Sequence, residues 1–446
     1  MIRAKMQHEE PAAKRPKREE LDDAHPTVEV QGTPGMEGLV ADGDHGSTRR
    51  AVRANDVIEL VFGERQNGEI LRPPYMHQIF PDEMIQGYDS SLRITLHFSP
   101  CSLRVWLDVQ ATTNAAAPGP EAGGDERTDI VGLLGEKMQP GSFDLDQASL
   151  LKNAGSFALP DGLVELEEYK AGSRTFVLLY CPVLADNQAL RDWHRRMQFV
   201  MYMYIETASY IDDTDPRWEL LLVVEKETHA FVGYTTCYRF STALKSLGSL
   251  QKYGFVERLR LAQIVVLPTY RSQGHAIHML QAVYKLAQQR SAMEVSIEDP
   301  SPRFSKVRDV VDYGNAISAK LIETSLMDTK DIMFAERPEL VEAMRAELKI
   351  TPKQAKRLIE IDLLRQVDPV SQSELYKQFR LLIKRRLWAE FHHNQILKVY
   401  TPEEKKVKLA ELYQDIESEY AHVIASVKDK LGVDTRFRAQ LSAETS

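Results

Sequence analysis

Cysteine is scarce in this chain: Cys101, Cys181 and Cys237 are the only three in 446 residues. Odd in number and far apart, they exclude a disulfide framework and a thiol zinc site, and they fit a reducing compartment. No apolar run approaches the roughly 20 residues that span a bilayer, and the N-terminus lacks the apolar core of a signal peptide. A membrane or secreted protein is therefore not expected. Excess positive charge is missing too. A net charge of −9 argues against general nucleic-acid binding and accords with a cationic partner, although mild acidity also serves solubility alone. His275, His278, His392 and His393 have no partners at metal-ligand spacing, so no metal is expected.

What is present is a soluble, globular composition, 43% hydrophobic and 27% charged, with length enough for about two to three domains. Residues 1–54 have few large apolar side chains and no periodicity, which reads as a disordered tail. Within it Lys14-Arg15-Pro16-Lys17-Arg18 is either an import signal or a solvated charge run. From residue 55 to 184 strand-like alternation dominates: Ile58 to Phe62, Leu92 to Phe98 and Leu103 to Val109, with a mobile insert from Ala111 to Arg127. This is expected to be an N-terminal β-rich domain.

Residues 185–330 hold the chemistry. Ala189 to Ala208 reads as an amphipathic helix whose aromatic and Met stripe faces a core. Glu206 is expected near its end among apolar residues, where a carboxylate caps, pairs or acts. Leu220 to Glu225 and Phe231 to Tyr238 form a hairpin around Lys226 to His229. Ala262 to Leu267 is a buried strand stopped by Pro268, and Arg271-Ser272-Gln273-Gly274-His275-Ala276 is a tight turn. Ile277, Leu280, Tyr284 and Ala287 then recur at helical spacing. Strand, Gly-containing loop and helix together present backbone N–H groups to an anion, which implies a phosphate-bearing ligand. Val295-Ser296-Ile297-Glu298-Asp299-Pro300-Ser301 reads as a second strand that ends in two adjacent carboxylates and a proline. Alternation along a strand would let one of the two carboxylates face a site, where apolar surroundings would suit it to work as a general base.

The last region, 331–446, reads as helical. Thr351-Pro352-Lys353-Gln354 and Thr401-Pro402-Glu403-Glu404 have the form of capping boxes. Leu409, Leu412, Ile416, Val423 and Val427 follow a heptad that either packs on its own domain or binds a partner. Lys384-Arg385-Arg386 is a basic triplet that is solvated, answers a coenzyme phosphate or touches a partner.

The loop Arg271–Ala276 resembles the Q/R-x-x-G-x-G/A acetyl-CoA loop of the GCN5-related N-acetyltransferase superfamily. More narrowly, Ile79 to Glu83 with Gly87-Tyr88, Tyr204 to Asp212, Ile297 to Ser301 with Arg308-Asp309, and Ile383 to Leu387 resemble the type B histone acetyltransferase catalytic subunits. They occur in that family's order. The resemblance implies an α+β fold, a mixed-sheet acetyltransferase domain between the N-terminal β-rich and C-terminal helical domains. It implies acetyl-CoA as co-substrate, held by backbone groups of Val265, Val266 and Leu267 along the pantetheine arm. Arg271, Ser272, Gln273, Gly274, His275, Ala276, Ile277 and His278 would surround the pyrophosphate, with Ser301 nearby. Glu298 would be the base, with Asp299 and Glu206 assisting or substituting. Asp82, Glu83, Tyr238, Arg239 and Phe240 would meet the substrate, the amino-terminal tail of newly made histone H-4. A WD-repeat histone chaperone would be a partner, and the chain would divide between nucleus and cytoplasm. Another amine substrate, or a non-catalytic histone carrier, are the alternative functions.

Overall fold

The fold was described from a computed structural model, for residues 51–63, 70–111, 127–138, 142–144, 146–244, 254–322, 337–393 and 400–431. The basic cluster at 14–18 and the insert over 112–126 lie outside these.

Two small sheets come first among the described residues. Strand β1 (Ala51–Arg53) leads into a single helical turn, α1 (Ala54–Val57), then β2 (Ile58–Phe62), β3 (Met84–Gln86), β4 (Arg93–Phe98) and β5 (Val105–Gln110). β1 pairs with β3, and β2, β4 and β5 form a three-stranded sheet with β2 parallel to β4. Ile58, Leu60, Ile94, Leu96 and Phe98 are buried at every second position, the period a half-buried sheet imposes. Residues 51–54, part of the stretch expected to be a disordered tail, thus lie in β1 and the start of α1. Helices α2 (Ile130–Lys137) and α3 (Gln147–Gly155) follow, each capped by an aspartate, Asp129 and Asp146, that accepts from a first-turn N–H.

The main sheet has six strands: β6 (Val164–Ala171), β7 (Arg174–Cys181), β8 (Trp218–Glu225), β9 (Phe231–Leu244), β10 (Gly254–Val266) and β11 (Val295–Ile297). Their spatial order is β11-β10-β9-β8-β7-β6, antiparallel throughout except for the parallel β10–β11 pair. β6 and β7, read from the sequence as part of the N-terminal domain, belong to this sheet, so it runs across the boundary expected at residue 184. Central strands are apolar on both faces, since Leu220 to Val224 are all buried.

Helix α4 (Gln188–Tyr202) enters the core with Leu190, Trp193, Met197 and Val200, and Asn187 caps it by accepting from the Leu190 N–H. It stops at Tyr202, six residues short of the expected Ala208. Tertiary bonds hold the next segment as a turn: the Gln198 side chain accepts from the Ile211 N–H at 2.9 Å, and Gln263 Nε2 donates to the Ser209 carbonyl at 2.9 Å. Helix α5 (His275–Gln289) packs on the sheet, and α6 (Pro302–Ser318) starts after the Ser301 cap.

Helices α7 (Pro338–Leu348), α8 (Pro352–Gln366), α9 (Ser373–His393) and α10 (Pro402–Leu431) are the last of the described elements. At α10 the capping box is reciprocal: Thr401 Oγ1 accepts from the Glu404 N–H, and Glu404 accepts from the Thr401 N–H at 2.7 Å. At α8 it is half made, because Gln354 turns its amide to Asp309 instead, at 2.8 Å. The α10 heptad packs inward, burying Val423 and Val427 beside α6, α8 and α9. In the basic triplet, Arg386 makes two hydrogen bonds to Glu360, at 2.8 and 3.0 Å, and Glu360 also accepts from Tyr420. Arg386 therefore braces α9 on α8.

Candidate functional site

The site grows from one irregularity in β10. Leu261 pairs with Cys237 and Gln263 with Thr236, so Ala262 is the extra residue of a β-bulge. Gln263 stabilises it from within: its buried amide accepts from Tyr234 at 3.2 Å and Thr236 at 3.4 Å, and Thr235 Oγ1 donates to its carbonyl at 2.8 Å. Pairing with β11 ends at the same point. Leu261 opposite Ile297 is the last matched pair, and the Glu298 N–H to Leu261 carbonyl bond of 3.0 Å closes the ladder. Beyond it β10 continues to Val266 with β9 on one side only.

Backbone polar groups of an antiparallel strand alternate in direction. The Leu267 N–H donates to Val232 at 2.9 Å, so Leu267 and, two residues back, Val265 turn toward β9. Ile264 and Val266 turn toward the open side. Of the three residues expected to align a pantetheine arm, only Val266 faces that way, and its carbonyl already accepts from Arg271 Nε at 3.1 Å. Ile264, which sequence reading passed over, is its natural partner. Gly233 lets β9 approach this edge: a Cβ there would lie 2.4 Å from the Val265 carbonyl oxygen.

The next turn supplies donors. Ser272 takes a φ of 64° and Gly274, the residue before α5, a φ of 92°, a left-handed value suited to glycine. Ile277 and His278 spend their N–H groups on the Gly274 carbonyl, at 2.8 and 3.2 Å, which removes both from the expected set of anion donors. Ser272, Gln273, Gly274, His275 and Ala276 are left, and among the described residues no acceptor meets their N–H groups. Three guanidinium groups surround them. Arg271 lies 4.9 Å over the Tyr204 ring, Arg174 donates to Gln273 Oε1 at 3.4 Å, and Arg303 donates to Ser272 Oγ at 3.3 Å. Unsatisfied amides at a helix N-terminus ringed by arginines fit a pyrophosphate. Arg174 and Arg303 carry no local sequence signal, because they arrive from β7 and α6. Ser301 spends its hydroxyl on the Phe304 N–H, as the cap of α6.

The histidines of the turn point elsewhere. His275 is 1% exposed, and burial holds its pKa down at about 4. His278 stacks on Tyr169 and meets Glu167 at 3.0 Å.

β11 ends at Ile297, so Glu298 and Asp299 both lie past the strand, with Asp299 at a φ of 33°. Alternation therefore does not separate them, and both are exposed. Glu298 is 48% exposed and its carboxylate lies 3.8 Å from Arg260. The expected apolar pocket is replaced by a half-solvated ion pair. Glu206 is likewise exposed, in the turn after α4 rather than among apolar residues.

Arg260, opposite Tyr238, begins a row of side chains on one face of the sheet. Its guanidinium lies 5.1 Å over the Phe240 ring, Tyr238 is 6.3 Å from Phe240, and Trp218 is 4.7 Å from Tyr238. Tyr238 donates to Asp215 at 3.1 Å, and Arg217 lies 4.9 Å over its ring. The face leading to Glu298 is thus aromatic and mixed in charge. Arg239 leaves it for the opposite face, 2.9 Å from the buried Glu219, which Arg290 and Tyr180 also hold. Its part is structural, as is that of Glu83. The Glu83 carboxylate accepts from Met76 N–H, Asn55 and Arg53 at 2.9, 3.1 and 2.9 Å, and these bonds hold its pKa below the usual carboxylate range against the opposing effect of burial. Asp82 beside it is exposed, at a φ of 52°.

The turn after α4 joins these parts. Gln78 donates to the Ala208 carbonyl, Gln263 to that of Ser209, and Tyr204 underlies Arg271. The 75–83 segment, the bulge and the anion loop therefore meet around residues 203–211. Among the described residues, no group of three or more His, Cys, Asp or Glu side chains could hold a metal ion.

Residues 50–206 match the family described as histone acetyl transferase HAT1 N-terminus, and residues 186–304 match the acetyltransferase (GNAT) family. The histone acetyltransferase type B catalytic subunit of Cryptococcus neoformans is 29% identical, over 87% of this chain and 98% of its own. That of Kluyveromyces lactis is 27% identical, over 84% and 92%, and that of Homo sapiens 28%, over 79% and 86%.

Proposed function

The chain belongs to the histone acetyltransferase type B catalytic subunits, and from that membership we propose that it acetylates a lysine ε-amine in the amino-terminal tail of newly made histone H-4, with Glu298 as general base. One observation carries the reading: the bulge at Ala262 opens β10 beside five acceptor-free N–H groups, with Glu298 at the end of the neighbouring strand.

The N–H groups of Ser272 to Ala276, with Arg174, Arg271 and Arg303, would hold the pyrophosphate of acetyl-CoA, and the outward backbone groups of Ile264 and Val266 would align its arm. Bound there, acetyl-CoA supplies a thioester whose acetyl group passes to the amine as the CoA thiol leaves. The chain's own task is the proton. A lysine ammonium with a pKa of about 10.4 has no lone pair for attack, so a base must take its proton, directly or through a water. Glu298 is solvated enough to pass that proton on, and its carboxylate, just past the end of β11, lies 3.8 Å from the Arg260 guanidinium. Asp299 and Glu206 are the substitutes. The row Trp218, Tyr238, Phe240 supports a bed for the aliphatic stem and cation of lysine, and Asp82 a contact farther along the tail. A WD-repeat histone chaperone as partner, and residence in nucleus and cytoplasm, rest on the resemblance alone.

The test is mass spectrometry of unmodified histone H-4 tail peptide, other histone tails and a polyamine, each incubated with acetyl-CoA and the purified chain. A mass gain of one acetyl group on the H-4 peptide in preference to the others is expected. Preference for the polyamine, or equal labelling of every tail, would overturn the substrate assignment.

A further inference from the structure

The edge strand β6 reaches over the first turn of α5 with two side chains that no step above uses. Tyr169 OH lies 2.7 Å from His275 Nδ1, and the Tyr169 ring stacks on His278 with centroids 3.6 Å apart and planes 11° from parallel. Glu167, two residues earlier and so on the same face of β6, meets His278 Nδ1 at 3.0 Å. The bulge between Glu165 and Glu167 sets that register. His275 Nε2 meets no partner among the described residues, so Tyr169 is the imidazole's one hydrogen bond in either tautomer. Phe176 and Tyr270 close the other sides of the ring, at centroid distances of 4.5 and 6.1 Å.

Such a grip has a consequence for the backbone. His275 is the first residue of α5, and its N–H is one of the five that meet no acceptor. A turn whose amides make no bonds of their own is held in place only by its side chains and its neighbours. Gly274 adds freedom, having no side chain to anchor. The bond from Tyr169 and the stack on His278 therefore fix, from one residue, two side chains of the first turn of α5, one within the run 272–276 whose amides must converge and one just past it.

We propose that Tyr169 is a positioning residue for coenzyme binding: from β6 it locks His275 and His278 so that the N–H groups of residues 272–276 stay aimed at the pyrophosphate. It touches neither substrate, and the proposal rests on the reading of this loop as the pyrophosphate site. It separates two parts of the coenzyme, because the arm lies along β10, which Tyr169 does not reach.

Steady-state kinetics and calorimetry on the full chain test it with two acetyl donors, acetyl-CoA and S-acetylpantetheine, which lacks the pyrophosphate. Tyr169→Phe removes the hydroxyl and keeps the stack; Tyr169→Leu removes both. Tyr169→Phe is expected to weaken acetyl-CoA binding about three- to ten-fold, as the loss of one buried hydrogen bond implies, and Tyr169→Leu more, while KM for S-acetylpantetheine stays at the wild-type value. Equal loss toward both donors, or none toward acetyl-CoA, overturns the positioning role. A general loosening of the fold would give the first of these. If Tyr169→Leu does not fold, Tyr169→Phe alone decides. Wild-type protein that binds both donors equally would instead refute the pyrophosphate reading, a failure visible before any variant is made.

Discussion

Replacing Glu298 with glutamine keeps the shape of the side chain and removes its ability to take a proton, so the expected loss can be worked out from the substrate. Lysine with a pKa of about 10.4 is free amine in roughly one molecule in a thousand at pH 7.4. Without a base the enzyme must wait for that fraction, and general-base removal ordinarily costs about 10²- to 10⁴-fold. For Glu298→Gln a fall of about 10³-fold in kcat/KM for the H-4 peptide is expected at pH 7.4, with acetyl-CoA affinity unchanged. The pH profile is the sharper signature. The variant's rate should climb close to ten-fold per pH unit as the free amine accumulates, so that the deficit shrinks to about 10-fold near pH 9.4. Stopped or continuous release of CoA thiol, followed from pH 6.5 to 9.5, reads both slopes. A variant that keeps a third of the activity, or loses activity by the same factor at every pH, removes Glu298 from the proton transfer and turns attention to Asp299 and Glu206.

Other expectations come from particular contacts. Gly233→Ala places a Cβ 2.4 Å from the Val265 carbonyl oxygen, inside contact distance, so β10 must shift; a loss of about 1–3 kcal/mol in urea unfolding and a raised KM for acetyl-CoA should appear together. Arg303→Ala and Arg174→Ala each remove a cation beside the anion loop, so acetyl-CoA affinity should fall while KM for the peptide holds, and the loss should lessen at high salt. His194 is wholly buried, and burial pulls its pKa down from 6.5 to about 3. A depressed histidine is neutral in the fold and charges first in the unfolded chain, so its stabilising effect is full above pH 6.5 and declines as pH falls toward 3. Between pH 8 and pH 5 that decline is about 2 kcal/mol, and His194→Leu should flatten the pH dependence of urea unfolding by that much.

Legibility followed locality. Strand, Gly turn and helix over 262–287 could be read because period, breaker and turn residues lie in one continuous stretch, and the structure has the strand to Val266 and the helix from His275. Caps at Thr351 and Thr401 were equally local. The strand character of residues 164–181 is local, but their partner β8 is not, so no pattern in their own stretch shows that they belong to the six-stranded sheet. The end of α4 was missed for the same reason: Tyr202 to Ala208 has a helical pattern, and side chains of Gln198 and Gln263 overrule it.

Site residues divide along the same line. Glu298 and the loop amides belong to motifs, whereas Arg174, Arg260 and Arg303 are single arginines with nothing in their neighbourhood to mark them. Net charge is less legible still. A value of −9 accords with a cationic partner, yet Glu83 and Glu219, two of the acids near the candidate surface, are spent on internal partners, and two aromatic rings of the face carry guanidinium groups. What a tail meets is set by which charges remain unpaired, and pairing is a property of the fold. Asp82, Glu206 and Asp212 are exposed acids on segments that the 203–211 turn draws toward the bulge. A cationic partner meets exposed acids such as these and not the net charge, so the acidity that guides it is a property of particular segments of the surface.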